Sequence, residues 1–265
     1  MTRPAIPPRV LRRSHGWLWR LAVTTAVCGG CGNPSEPTQA PLPVVSESAN
    51  FRYHHAAGDP VDATWQEAYH AWAVATLSVQ VPQKIDYYKY RSRQDMGEHT
   101  GKYETNGFAE PASFALHTLW PTDNHEVVHI YTALLGRPSD FFNEGIAVAL
   151  QTDPPAGKLE AVFNGQQVHE ACRLYLQSGT LVVPLDRAIQ TDRFRAINDQ
   201  VLSYRQAGSF VRFLIDRYEM SQVREFFRIS SRDDDTGTIK QRFNAAFGIP
   251  FETAESAWMT LLRNP

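Results

Sequence analysis

Cysteine is scarce in this sequence, with three among 265 residues. Two of them, Cys28 and Cys31, fall near the amino terminus, which leaves Cys172 alone in the rest of the chain. One cysteine cannot close an internal disulfide, so the fold must be held by its apolar core. Cys172 lies in an apolar pattern of helical period and is predicted to be a buried small hydrophobe rather than a nucleophile.

Long apolar runs, repeats and low-complexity tracts are also lacking. Hydrophobic residues make up 43% of the chain, which excludes an intrinsically disordered protein. No fixed period is apparent, which argues against a solenoid. The apolar stretch 21–27 near the amino terminus is far shorter than the roughly 20 residues that a membrane-spanning helix needs.

A basic surface is missing as well. The chain has 26 basic and 28 acidic residues, and five of the arginines lie in the first 30 residues, where there is no acid. The rest of the chain therefore has 21 basic residues against 28 acidic ones. Because nucleic-acid binding needs a basic patch or stripe, we expect no nucleic-acid partner.

The first residues have the organisation of an export signal. Arginines come first, followed by an apolar run and small residues, which predicts a leader over 1–31. A Pro-, Ser-, Glu- and Thr-rich tether is expected over 32–49. Gly29-Gly30-Cys31 resembles the lipobox of bacterial lipoproteins, which implies a lipidated Cys31 that attaches the protein to a membrane of the cell envelope, in the periplasm or at the surface. Plain secretion and a cytosolic chain with a disordered leader are the alternatives.

Hydrophobic patterns in 50–265 predict a single α+β domain. Its first part alternates short strands with one amphipathic helix; strands are expected at 51–55, 84–90 and 114–119, and the helix at 65–77. The polar segment 97–107 has three glycines and is expected to form a hairpin or loop. Afterwards only helices are predicted, at about 123–135, 141–151, 166–177, 199–218, 221–229, 238–247 and 251–262. A small strand-containing part followed by a mostly helical part is typical of an α+β fold.

One of these helices has the sequence His125-Glu126-Val127-Val128-His129. Residues four apart lie on the same face of a helix, so the two imidazoles can bind one Zn²⁺ at about 2.0 to 2.1 Å. The carboxylate of Glu126 can reach a water at the metal without being a ligand. An ordinary helix with two histidines is the alternative.

Glu144 is the candidate for a third ligand. It follows His129 by fifteen positions, in the first turn of the next helix, after a short connection that predicts a tight antiparallel helix pair. The small Gly145 is expected to let these two helices approach each other. The alternative for Glu144 is an acid that only stabilises the helix dipole.

These segments resemble the gluzincin metallopeptidases, in the aminopeptidase-like branch called peptidase MA. The His-Glu-x-x-His helix is followed in that family by a segment like the one at Phe141–Ala147, with its Asn-Glu-Gly-x-Ala core. The similarity covers about residues 51–263. The short sheet of the family, whose edge strand lines the cleft, corresponds here to 84–90, 107–109 and 114–119. Its tyrosine-led helix corresponds to 204–210, and its chain end to 254–262.

The resemblance implies a zinc hydrolase acting on a peptide or protein. His125, His129 and Glu144 would bind Zn²⁺, with water at the fourth position. Glu126 would be the general base that takes a proton from water and returns it to the leaving amine. Tyr204 would donate a hydrogen bond to the oxyanion.

Tyr204 has an alternative role, because its helical face also carries Gly208, Val211 and Ile215, the spacing of a core stripe. The family's amine-binding Gly-x-Met-Glu-Asn strand has only a distant counterpart in Asn106–Glu110, which favours cleavage of internal peptide bonds. Val148 stands where thermolysin-type enzymes have an acid that orients a ligand. The orienting partners of the histidines must therefore come from elsewhere. Three further histidines are predicted to be ordinary strand residues rather than ligands: His54, His55 and His117.

Three functions follow from these observations. The first is an envelope-attached zinc peptidase. The second is a zinc-binding envelope lipoprotein that acts as a non-catalytic binding module. The third is a helical interaction domain in which the His-Glu-x-x-His spacing is a coincidence, and this one predicts no bound zinc.

Overall fold

The computed structural model describes residues 36–152 and 161–264. The predicted leader, 1–31, and Cys31 with it, lie outside the described residues. The described residues form one compact unit. Within the described part of the chain, no helix has the length and apolarity needed to cross a membrane.

A five-stranded mixed sheet forms the first part of the domain, and three of its strands lie close to the predicted positions 51–55, 84–90 and 114–119. Its strands are β1 (Val44–Glu47), β2 (Phe51–His55), β3 (Ile85–Lys89), β4 (Gly107–Glu110) and β5 (Ala115–Thr118). Their order is β1-β2-β3-β5-β4; β3 is parallel to both neighbours, whereas β1 and β4 are antiparallel to theirs. Strand β4 is therefore an edge strand.

Helices make up the rest of the domain. They are α1 (Ala63–Leu77), α2 (Arg93–Thr100), α3 (Asn124–Ala133), α4 (Asp140–Leu150), α5 (Val168–Ser178), α6 (Thr191–Arg195), α7 (Gln200–Arg217), α8 (Met220–Ile229), α9 (Thr236–Phe247) and α10 (Phe251–Arg263). A short hairpin of β6 (Val162–Phe163) and β7 (Gln166–Gln167) precedes α5. A mixed sheet with ten helices in the described part of the chain is consistent with the α+β class.

Helix α4 lies at the centre of the core, and α7 packs along it. Nine of its eleven residues are buried. A Cβ atom on Gly145 would lie 2.6 Å from Val211 Cγ2 and 2.8 Å from the Ala207 carbonyl oxygen, and one on Gly208 would lie 2.2 Å from Val148 Cγ1. Both glycines therefore bring α4 and α7 together. The prediction that Gly145 allows the approach of α3 and α4 is wrong.

Segment 97–107 is only partly the predicted hairpin or loop: helix α2 extends through Thr100, and the loop covers 101–106. The Ser92 side chain accepts a hydrogen bond from the Asp95 amide at 3.1 Å, which caps the start of α2. Gly101 ends the helix with a φ of 75°, a conformation that suits glycine. Local capping thus forms a short polar helix that has no amphipathic pattern in the sequence.

The predicted tether, 32–49, includes ordered chain. Strand β1 pairs with β2, and the Glu98 carbonyl oxygen accepts hydrogen bonds from the amides of Thr38 and Gln39 at 2.8 and 3.0 Å. The Glu67 carboxylate accepts one from the Ser48 hydroxyl at 2.5 Å. The domain therefore begins well before residue 50, because this segment satisfies its backbone groups on the sheet and on α2.

Candidate metal centre

The amino terminus of α3 is fixed by Asp123. Its carboxylate accepts a hydrogen bond from the Glu126 amide at 3.1 Å, which caps the helix, and another from the Thr118 hydroxyl at 2.6 Å. Thr118 ends β5, so this carboxylate joins the helix to the sheet. From this fixed start, the rings of His125 and His129 project one turn apart, with centroids 4.9 Å from each other.

Glu144 of α4 meets the two histidines, as the spacing predicts. One carboxylate oxygen, Oε2, lies 3.3 Å from Nε2 of His125 and 3.3 Å from Nε2 of His129. The three donor atoms lie within 4.8 Å of one another, in the only such group of three or more found among the described residues. In a tetrahedral zinc site with bonds of 2.0 to 2.1 Å, adjacent ligand atoms are about 3.3 Å apart. The donor set and the two 3.3 Å distances fit a divalent metal ion such as Zn²⁺ without being specific to it.

The charges in this group also suit a cation. Burial disfavours the charged imidazole of His125, but the hydrogen bond with Glu144 and nearby carboxylates outweigh it and raise its pKa to about 9. The pKa of His129 is raised in the same way, against burial, by the charge of Glu144. Burial opposes ionisation of Glu144, yet the two imidazoles lower its pKa far below the usual range. A metal ion can replace the protons that these imidazoles carry.

Two amide side chains contact the Nδ1 atoms of the histidines, on the ring side opposite Glu144. The Gln151 Oε1 lies 2.7 Å from His125 Nδ1, and its Nε2 donates to the Val162 carbonyl oxygen at 2.5 Å. The Asn143 Nδ2 lies 3.2 Å from His129 Nδ1, and exchanging the nitrogen and oxygen of that amide would present an acceptor there. With Gln151 as its acceptor, His125 can keep its proton on Nδ1 and direct the Nε2 lone pair at a metal.

Neither amide was singled out from the sequence, although a signal exists. Gln151 follows Glu144 by seven positions, which places both on one face of α4 two turns apart, and Asn143 is the immediate neighbour of Glu144. These two residues are the orienting partners that Val148 cannot supply.

Glu126 lies beside the candidate metal ligands and close to the edge strand. Burial raises the pKa of its carboxyl above the ordinary value, and burial also raises the pKa of Asp123. A Cβ atom on Gly107 of β4 would lie 3.3 Å from Glu126 Cγ and 3.1 Å from Asp123 Oδ2. The absence of a side chain at Gly107 thus lets the β4 backbone lie against the candidate base.

Tyr204 belongs to both the core stripe and the site. Its ring stacks on His125, with centroids 6.0 Å apart and planes at 15°, and it also packs against Phe163 and Phe194. Burial, followed by the charge of Glu144, raises the pKa of its phenol well above the ordinary value. The hydroxyl therefore stays protonated and available as a donor.

An open cleft of about 1370 Å³ contains all five predicted site residues. Its walls come from α3, β4, the β5–α3 loop, the start of α4, the β6–β7 hairpin and the start of α7. Apart from the metal ligands and Glu126, its lining includes several aromatic side chains, namely Trp65, Phe108, Trp120, Phe163 and Tyr204.

The other sequence candidates lie elsewhere. His54 Nε2 is 2.9 Å from Asp86 Oδ1, and His117 Nδ1 is 2.9 Å from the Tyr90 hydroxyl. Neither these two histidines nor His55 lines the cleft. Cys172 is buried, which raises the pKa of its thiol to about 12, so it is not a nucleophile at neutral pH.

Comparison with known proteins gives no relative: no protein-family model, no curated protein and no solved structure matches the chain. Conclusions about this site therefore rest on its own residues and geometry.

Proposed function

We propose that the protein is a zinc-dependent peptidase of the gluzincin type. The observation that carries the proposal is the convergence of His125, His129 and Glu144, whose Oε2 lies 3.3 Å from both Nε2 atoms, with Glu126 in the same open cleft. Structural zinc sites are closed by four protein ligands, whereas three ligands facing open space are typical of catalytic sites.

The roles of the chain's residues follow from their positions. Zinc bound in such a site supplies Lewis acidity, which activates water for attack on a carbonyl. Glu126, with its raised pKa, accepts a proton from the water and delivers it to the leaving amine. Tyr204, protonated and stacked on His125, donates to the developing oxyanion.

The sheet supports a peptide as the substrate. Strand β4 is bonded to β5 along one edge only, and in the described part of the chain no other strand pairs with its second edge. Because β4 also lines the cleft, an extended peptide can pair with its free backbone groups while its carbonyl lies near the metal ligands. Such pairing does not need a free peptide terminus and favours cleavage of internal bonds.

The place of action belongs to the same proposal. The leader pattern of 1–31 and the lipobox-like Gly29-Gly30-Cys31 support export and lipidation at Cys31. The substrate is then a peptide or protein of the cell envelope.

The test measures zinc and cleavage in the same samples. The purified protein is depleted with a chelator, reloaded with zinc and incubated with a mixed peptide library. Glu126→Gln should retain zinc and lower the cleavage rate by about 10² to 10⁴. The matched control Glu225→Gln changes an exposed glutamate of α8 that pairs with Arg228, and it should leave the rate unchanged.

Two results would contradict the proposal. Absence of zinc from the reloaded protein would eliminate both the peptidase and the zinc-binding module. Zinc binding without any cleavage that depends on Glu126 would leave the non-catalytic binding module as the function.

A further inference from the structure

Trp120 presents an unusually large apolar surface to solvent. Its exposed fraction is 50%, and it is the only aromatic residue among the large exposed hydrophobics of the described chain. Isolated exposed aliphatic residues are common and need no explanation, but tryptophan is the residue that most often anchors a bound partner. Trp120 also lines the cleft that contains His125, His129 and Glu144.

The backbone of Trp120 is held firmly although its side chain is exposed. Its amide donates to the Thr118 hydroxyl at 3.1 Å, and its carbonyl oxygen accepts from the buried Tyr87 hydroxyl at 3.0 Å. The same Thr118 hydroxyl donates to Asp123, the cap of α3. The backbone from which the indole projects is therefore held by the hydrogen bonds that also fix the start of helix α3.

A second indole also lines this cleft. Trp65 of α1 lines it, and its Nε1 donates to Asn124 Oδ1 at 3.4 Å. Asn124 immediately precedes the ligand His125. A backbone hydrogen bond of 3.0 Å from Asp62 to Pro121 joins the start of α1 to the residue after Trp120. We call Trp65 and Trp120 the tryptophan wall.

We propose that the tryptophan wall forms the specificity subsite of the cleft and binds an aromatic or large aliphatic side chain of the peptide next to the scissile bond. This inference rests on the proposed peptidase function. Two indoles beside a metal site offer flat apolar surface that only a side chain of similar size can cover, and covering it removes apolar area from water. The fixed backbone of Trp120 lowers the ordering cost of that contact.

The first test is the cleavage profile of the zinc-loaded protein on a mixed peptide library. Phe, Tyr, Trp or Leu should be enriched at one fixed position beside the cut, with kcat/KM about tenfold or more above that for Ala. Trp120→Ala should flatten the enrichment, whereas Trp120→Phe should keep most of it. The matched control Leu174→Ala removes an equally exposed apolar residue outside the cleft and should not change the profile.

A binding measurement separates this inference from the proposed function. Zinc-loaded Glu126→Gln is titrated with two peptides that differ only by Phe or Ala, and the Phe peptide should bind about tenfold more tightly. Adding Trp120→Ala should bring the two affinities together. If the wild type cleaves nothing, the peptidase fails, and a Trp120-dependent preference for Phe still supports the subsite. Equal affinities, or a preference that persists in Trp120→Ala, would overturn the subsite.

Discussion

Gln151 offers a quantitative test of how the site is held. Replacing it by leucine keeps the side-chain volume close to that of glutamine but removes the acceptor 2.7 Å from His125 Nδ1. In the metal-free protein the imidazole can respond by changing its tautomer or its protonation. Once zinc occupies Nε2, the proton must stay on Nδ1, where it has no partner in the variant. The cost of the unpaired Nδ1 proton therefore destabilises the zinc-bound state of the variant.

The expected magnitude follows from that difference. Leaving one buried donor unpaired costs about 1–3 kcal/mol. Loss of an orienting partner of a metal-binding histidine commonly lowers affinity by about 10- to 100-fold, which corresponds to about 1.4–2.7 kcal/mol. The two figures agree. We expect the zinc dissociation constant of Gln151→Leu to rise by that factor. Gln151→Glu keeps an acceptor for His125 Nδ1 but loses the hydrogen bond to the Val162 carbonyl oxygen, and it should bind zinc more tightly than Gln151→Leu.

The assay is competition for zinc between the protein and a chelating dye at neutral pH. Gln177→Leu makes the same replacement at an exposed site on α5 and serves as the control. If Gln151→Leu and Gln177→Leu both bind zinc as the wild type does, Gln151 does not position His125.

Two further predictions concern stability. Gly208→Ala should lower the free energy of unfolding by about 1–3 kcal/mol, because its Cβ would lie 2.2 Å from Val148 Cγ1. The control is Gly237→Ala, at an open helical position. Equal urea midpoints for the two variants would contradict the close α4–α7 contact. Burial lowers the pKa of His117 from 6.5 to about 3, so the unfolded chain takes up its proton first, and stability should fall by about 1.4 kcal/mol per pH unit as the pH drops from about 6.5 towards 3. In urea titrations at pH 7 and pH 5, H117N should lose less free energy of unfolding than the wild type. If both proteins lose the same amount, the lowered pKa of His117 does not cause the acid sensitivity.

The helices of the site were predictable because their sequences carry local signals. Asp123 and the residues after it combine a cap with apolar spacing, and α7 has a long apolar stripe, so both helices lie close to their predicted bounds. Helix α2 has no such stripe, since only Met96 and Gly97 are buried in it, and its capping by Ser92 was not recognised. Strand β1 is exposed along its length and is defined by its pairing with β2, which no local pattern shows.

In the site, too, the features that depend on local sequence could be predicted, whereas those that depend on tertiary packing could not. His125, His129 and Glu144 could be predicted because helical spacing and a short connection fix their relative positions. The contacts of Gln151 and the exposure of Trp120 depend on how α4, the β6–β7 hairpin and the β5–α3 loop meet, and the sequence does not specify that orientation. Gly145 illustrates the limit: its small size was noted, but the packing partner is α7 rather than α3.

Zinc content is the most direct test of the central claim. The protein is dialysed against zinc buffered near neutral pH, and bound metal is counted per chain for the wild type and for Glu144→Ala. One zinc per chain in the wild type, lost or greatly weakened in the variant, is the result that the His125–His129–Glu144 site predicts. A wild type that binds no zinc, or a variant that binds it equally well, would contradict the metal centre and the function proposed from it.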